Sequence, residues 1–344
     1  MKDADWEQLV AVVRGEALRP LPTGFIIDSP WLPRWAGQRI FDYFASEQRW
    51  LEANLLAHRT FPDTWLLPGF WAEYGMCTEP SAFGSVGVWE PDEFPFARPV
   101  FTTIEAADRL ERPDVRRHGL LPFVIQRLAQ QQAAIEREGH RIRFAVARGP
   151  LNVASFLLGT TEFLTALKTE PERTHRLLGT ITDFLVDWIG YQRERFPSID
   201  GVLVLDDLMG FISRKDFVAF GLPYLRRCFP DDVAVRFFHN DAPCKACAPH
   251  LAEAGVNLLN FGVQHTLAEM REWTSGAITL LGNLPPRDVL AEASPAAVAA
   301  GVRALLDGVP DHTRLIPSCG GGMPPGVPTA NLRAFIDAVR DWSA

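Results

Sequence analysis

The chain has 344 residues, with 34 Lys and Arg against 42 Asp and Glu, and a formal net charge of −8. That balance disfavours simple binders of nucleic acid or of anionic membrane surfaces. With 47% hydrophobic and 22% charged residues, the composition is that of a folded protein able to bury a large core, and it excludes disordered, collagen-like and coiled-coil classes.

Residues 1–20 mix acids into an amphipathic pattern and read as an N-terminal helix, without the apolar run and cleavage site of a secretory signal. No stretch reaches the roughly 18 uninterrupted apolar residues of a bilayer span. The five thinly spread cysteines are not a disulfide framework, so a reducing cytoplasm is the expected setting. Strand-type apolar runs fall at 24–27 (GFII) and 64–67 (TWLL). The segment 73–100, rich in Pro, Phe and Trp, is too long for a simple connection and reads as an insertion, either a lid or a structural flap. From about residue 140, short apolar runs alternate with stretches of helical period: 143–147 (RFAVA), 202–205 (VLVL), 233–238 (VAVRFF), 257–261 (NLLNF), 278–281 (ITLL) and 314–317 (RLIP). Pro171 opens an amphipathic run to about Arg195, Ser294-Pro295 reads as an N-cap with proline at the first helical position, and 331–342 reads as a closing helix. This alternation predicts βα units with a parallel sheet, and eight strands is the number that closes a (β/α)8 TIM barrel. The expectation is one α/β barrel domain over 1–344, with an N-terminal helical extension and an insertion after the second strand.

Chemistry in such barrels is built where the strands end. Those ends carry Asp28, Trp71 and Glu73, Arg148 and Asn152, Asp206-Asp207, His239-Asn240-Asp241, Asn260, Asn283, and Cys319 followed by Gly320-Gly321-Gly322. His239 and Asp241 are two apart and share a side in an extended segment, so with Cys319 they would form a zinc site with one open position. The alternatives are a metal-free hydrogen bond from His239 to a carboxylate, and Asp241 as cap of a helix starting near Pro243. Cys244 and Cys247 form C-K-A-C in the first turn of that expected helix, where its dipole would lower a thiol pKa; they are either ligands or packing residues. Asp206, Asp207 and Glu73 are the candidate proton-handling residues, or else supports for groups such as His239. Arg148 suits a substrate carboxylate or phosphate unless it pairs with one of these acids, and Asn152, Trp71, Asn260 and Asn283 are the further candidate substrate contacts. The glycine run lacks the Lys-Ser/Thr of a P-loop, and nothing points to a nucleotide cofactor.

The chain resembles the uroporphyrinogen decarboxylase superfamily, which includes cobalamin-dependent methyltransferases. The resemblance runs over nearly the whole chain, through RGPLNVASFLLG (148–159), DDLMGFISRKDFVAFGLPYLRR (206–227), FHNDAPCKACAPHLAEAGVNLLNFG (238–262), LLGNLPPRDVL (280–290) and GGGMPPGVPTANLRAFIDAV (320–339). It implies a (β/α)8 barrel with its site at the C-terminal mouth. The decarboxylases have an N-terminal Arg-rich segment and a Gly-His-Gly near the C-terminus. Here Asp28-Ser29-Pro30-Trp31 carries no arginine, and Gly321 stands at the histidine position. The methyltransferase branch has His-x-Cys after the fifth strand and a Cys after the eighth. Here Asp241 replaces the first Cys, and Cys319 lies two residues before the second. The resemblance implies a zinc-dependent, corrinoid-linked methyltransferase-like enzyme, with cobalamin carried by a separate corrinoid protein and a small-molecule donor or acceptor. A homodimer follows by analogy with the decarboxylases. The alternatives are a cofactor-free decarboxylase acting on a smaller, less anionic substrate, and a non-catalytic ligand-binding barrel.

Overall fold

The computed structural model describes residues 1–343. Ten strands occur in chain order: β1 (Gly24–Ile26), β2 (Trp65–Leu67), β3 (Gly87–Val88), β4 (Phe96–Ala97), β5 (Phe144–Arg148), β6 (Gly201–Leu205), β7 (Val235–Asn240), β8 (Leu258–Phe261), β9 (Thr279–Leu284) and β10 (Leu315–Cys319). All eight strands read from the sequence are present; β3 and β4 form a small antiparallel hairpin inside the insertion. β5 to β10 form one parallel ladder in sequential order, and β1 pairs with β2 in parallel. The Met323 amide donates to the Ile26 carbonyl at 3.0 Å, tying the segment after β10 to β1. The fold is a (β/α)8 barrel.

Strand alternation divides the core in two. Ile26, Leu67, Phe144, Leu203, Val235, Phe237, Leu258, Leu281 and Ile316 fill the barrel interior, and their neighbours Phe25, Ala145, Val202, Val204, Phe238, Leu259, Leu280 and Leu315 pack outward with the helices. Helix α1 (Asp3–Arg14) belongs to the inner cluster: Trp6, Leu9, Val12 and Val13 recur at helical spacing and meet the barrel residues, with Trp6 edge-on to Phe144 at 5.3 Å. The N-terminal extension is therefore the plug of the barrel floor.

Several strands run past their apolar runs. β7 reaches Asn240, β9 reaches Leu284 and β10 reaches Cys319, each two or three residues beyond the last apolar position of the run. Apolar runs report burial, whereas backbone pairing continues through polar residues whose side chains face the mouth. No α-helix forms at Pro243; the segment is a turn leading into a short 3-10 turn, Ala248–His250. Pro249 has no N–H to continue an α-helical ladder. The segment between β2 and the helix Leu121–Arg137 holds the helix Thr78–Ala82, the β3–β4 hairpin and a 3-10 turn, so the insertion is longer than 73–100. Among the described residues no helix is long and apolar enough to cross a membrane.

Candidate active site

The barrel register sets His239 directly beside Asn260 on the neighbouring strand. Asn260 is fully buried and donates through Nδ2 to the Leu281 carbonyl at 2.9 Å, which leaves its Oδ1 to face His239 Nδ1 at 2.8 Å. The hydrogen therefore sits on His239 Nδ1, which donates to Asn260. His239 Nε2 faces outward between two carboxylates, 3.6 Å from Asp241 and 4.0 Å from Asp207. Burial works against charge on this ring, but Asp241, Asp207, the Asn260 hydrogen bond and Asp28 outweigh it and raise its pKa.

Asp206 and Asp207 part company because they are consecutive. Asp206 is fully buried and accepts from the backbone amides of Leu151 (2.8 Å) and Asn152 (3.1 Å), the start of the helix Pro150–Leu158. Gly149 makes room for it, since a Cβ there would stand 2.4 Å from its Oδ2. Burial holds the Asp206 carboxyl well above its usual range, against the pull of these amides. The structure thus gives Asp206 an anchoring position, away from His239. Asp207 turns to the mouth and accepts the Asp241 amide at 2.7 Å.

Arg148 is buried between two glutamates. Its guanidinium reaches Glu73 at 3.0 Å and Glu79 at 3.3 Å, and its own amide donates to Glu79 at 3.1 Å. Ser29 donates to Glu73 as well. The fork that would grip a substrate anion is therefore engaged by two acids, both from the insertion. The asparagines are similarly tied. Asn152 links the Leu205 carbonyl to the Leu208 amide, and Asn283 donates to the Gly262 and His265 carbonyls. Trp71 is buried and accepts the Trp50 indole N–H at its carbonyl.

The open space lies beside this group. A cavity of about 430 Å³ is lined by Asp28 and Pro30 after β1, Asp241 after β7, Val263, Arg287 after β9, and the Gly320–Pro325 loop after β10. Asp28 Oδ1 is buried with no hydrogen-bond partner among the described residues. Burial and then Glu73 hold the Asp28 carboxyl well above the usual carboxylate range, with Asp241 adding to the effect and His239 and Arg148 opposing it. Gly321, at φ +74°, is where Asp241 lies: a Cβ there would be 2.1 Å from its Oδ1. A larger surface groove of about 580 Å³ runs between the insertion and the helix Pro171–Arg195, but its charges pair off, Arg112 with Asp187 and Arg116 with Glu194.

The residues do not assemble the three-ligand zinc site that spacing suggested. Leu315 and Cys319 belong to the outward cluster and Ile316 to the inner one, so alternation places the Cys319 thiol on the helix side of β10 and leaves Ser318 facing the axis. Burial pushes that thiol up to about 12. Among the described residues, no group of three or more His, Cys, Asp and Glu side chains is arranged to hold a metal ion. Cys244 and Cys247 are wholly buried against the loop after β7. No helix dipole lowers the Cys244 thiol; its hydrogen bond with Cys247, then burial, raise it.

Glu79, Arg287 and Met323 are site residues that the residue pattern does not single out, and Asp28 gains a role only in the fold. Asp28 carries the visible signal of an acid ending a strand, whereas Glu79 sits in a short helix that looks exposed until Arg148 is seen beside it.

A barrel floored by a helix, with a cavity lined by Asp28 and Asp241 at the C-terminal ends of its strands and a buried histidine beside the second of these acids, defines the class of (β/α)8 enzymes. The chain belongs to the uroporphyrinogen decarboxylase (URO-D) family, whose model matches residues 7–342. It is similar to the uroporphyrinogen decarboxylase of Chloroherpeton thalassium, 26% identical over 183 residues, a match spanning about half of each chain. The uroporphyrinogen decarboxylase of Chlorobium phaeovibrioides is 26% identical over 251 residues, 69% of each chain. Among solved structures, a methyltransferase from Methanosarcina mazei shares the fold with a TM-score of 0.83 at 17% identity, covering 98% of both chains.

Proposed function

We propose that the chain is a methyltransferase-type enzyme that takes a methyl group from a small donor in the mouth cavity and passes it to a nucleophilic acceptor, with His239 handling the proton. The observation that carries this reading is the charge of the mouth. Asp28, Asp207 and Asp241 surround His239, and Arg148 is committed to Glu73 and Glu79. A substrate bearing many carboxylates would be repelled by these acids at close range, whereas a small neutral or cationic molecule is favoured. His239, held by Asn260 and with its protonated form favoured by Asp241 and Asp207, supplies from Nε2 the proton that a leaving nitrogen or oxygen requires. Asp207 and Asp241 hold that proton in place between turnovers. No step of this reading runs through a metal. The cavity, about 430 Å³, suits a small molecule; a corrinoid acceptor would be carried by a separate protein and presented at the mouth.

The test is to incubate the protein with neutral and cationic donors carrying an isotope-labelled methyl group, together with free reduced cobalamin or a thiol. Label should move to the acceptor, and His239→Gln should slow it by a factor on the order of 10² to 10⁴. Release of CO2 from uroporphyrinogen, with no methyl transfer, would overturn this reading in favour of the decarboxylase.

A further inference from the structure

We propose that the mouth cavity takes a small zwitterion, whose protonated, N-methylated amine faces Asp28 and Asp241 and whose anionic end meets Arg287. This names the substrate class of the cavity and rests on its being the substrate site.

Three charged side chains line the cavity: Asp28, Asp241 and Arg287. Asp28 and Asp241 both lie against the Gly321–Gly322 backbone, where a Cβ would stand 3.6 Å from Asp28 Oδ2 and 2.1 Å from Asp241 Oδ1, whereas Arg287, after β9, is exposed. The cavity therefore has an acidic end and a basic rim. An unpaired atom points to a missing ligand: Asp28 Oδ1 is buried and has no hydrogen-bond partner among the described residues. A buried polar atom left unpaired is costly, and a donor arriving at this end would satisfy it.

The wall between the charges is apolar, made by Pro30, Val263, Met323 and the prolines beside it, and suits methyl groups. No aromatic ring lines it, so the cation–π cage that recognises a quaternary ammonium is missing. Recognition must then come from an N–H, which restricts the cation to a protonated amine. The burial of Asp28, and then Glu73, favour its neutral form in the empty cavity. An ammonium arriving beside it favours the charged form, so binding lowers the Asp28 pKa and is linked to proton release. A protonated amine leaves as a neutral amine once its methyl is lost, keeping the proton it arrived with, so this donor needs none from His239.

The experiment is calorimetric titration of the full chain with N,N-dimethylglycine, with dimethylamine and isobutyrate as its two halves, and with glycine betaine, in buffers of different ionisation enthalpy. N,N-dimethylglycine should bind at least tenfold more tightly than either half or the betaine, with proton release. Asp28→Asn should weaken it more than tenfold and abolish the proton release. Arg287→Gln, a rim change that leaves the fold intact, should bring it down to the level of dimethylamine while leaving dimethylamine itself unchanged. Isobutyrate binding as tightly as N,N-dimethylglycine, no binding of N,N-dimethylglycine, or unchanged binding by folded Asp28→Asn would each overturn the proposal. The two readings fail separately. Binding without demethylation keeps the zwitterion site and removes methyl transfer, whereas methyl transfer from an uncharged donor, with no zwitterion bound, does the reverse.

Discussion

Asp28 is a carboxyl held where its charge is disfavoured, and that has a measurable cost. Its pKa lies above the unfolded value, so its contribution to stability is greatest below the ordinary carboxyl range, near 3.9, and is lost as pH rises toward the folded value. Asp28→Asn should therefore raise the melting temperature at neutral pH, by a gain on the order of 0.5 to 2 kcal/mol, and the gain should vanish in acid. An equal gain at every pH would refute the electrostatic account. His239 has a raised folded pKa, so its stabilisation is fully present below the ordinary imidazole range, near 6.5, and fades as pH rises through the raised value. Replacing Asn260 by Leu leaves the Nδ1 hydrogen buried without an acceptor. The expected loss is about 1 to 3 kcal/mol, with the His239 titration, followed by NMR, moving to lower pH. An unmoved titration would show that Asn260 does not hold the ring. The same geometry predicts no stoichiometric zinc in protein purified without chelator. One zinc per chain, lost in Cys319→Ala, would contradict the outward placement of that thiol.

At the scale of elements, the pleat decides more than residue type. In β6 and its continuation the alternation sends Asp206 to the helix Pro150–Leu158 and Asp207 to the mouth, although the two are chemically identical. Asp206→Ala should thus cost about 1 to 3 kcal/mol of stability, two buried amides being left unpaired, without altering ligand affinity in the fraction that folds. A large affinity loss with normal stability would return Asp206 to the active site. Helix α1 provides the second case. Its Trp6 packs against Phe144 in the barrel floor, so Trp6→Ala should cost about 3 to 5 kcal/mol in chemical denaturation. A loss below 1 kcal/mol would mean that the floor is closed without it. The eight strands and the N-terminal helix were legible because periodicity and apolar runs report burial directly, whereas the helix's place in the barrel floor was not. The strand ends were less so: polar residues such as Asn240 and Asn283 extend the ladders, and a pattern search built on apolar residues stops short of them.

For the whole molecule, the five cysteines are free and all buried. A thiol reagent should therefore react slowly with the native protein and titrate all five after unfolding; rapid reaction of any one under native conditions would show a more open structure. The net charge of −8 is spread over a surface on which many acids pair with arginines, as at Arg271–Asp311 and Arg227–Asp183. The acids of the mouth are different in kind, because among the described residues Asp28, Asp207 and Asp241 form no ion pair with a lysine or arginine and Asp28 keeps a buried, unpaired oxygen.

The sequence by itself determined the barrel, its family, the N-terminal helix and the list of strand-end residues from which the site is drawn. These follow from periodicity, from residue type at the ends of apolar runs, and from long matched segments, all of them properties of contiguous chain. Only the tertiary structure decided which residues the site employs. Whether Cys319 faces the axis or the helices depends on strand phase, and whether Arg148 is free depends on Glu79, 69 positions away. Whether Asp241 has room to lie over position 321 depends on the absence of a side chain there. Charges and cavities are shared among segments distant in sequence, and their balance exists only once those segments are packed together.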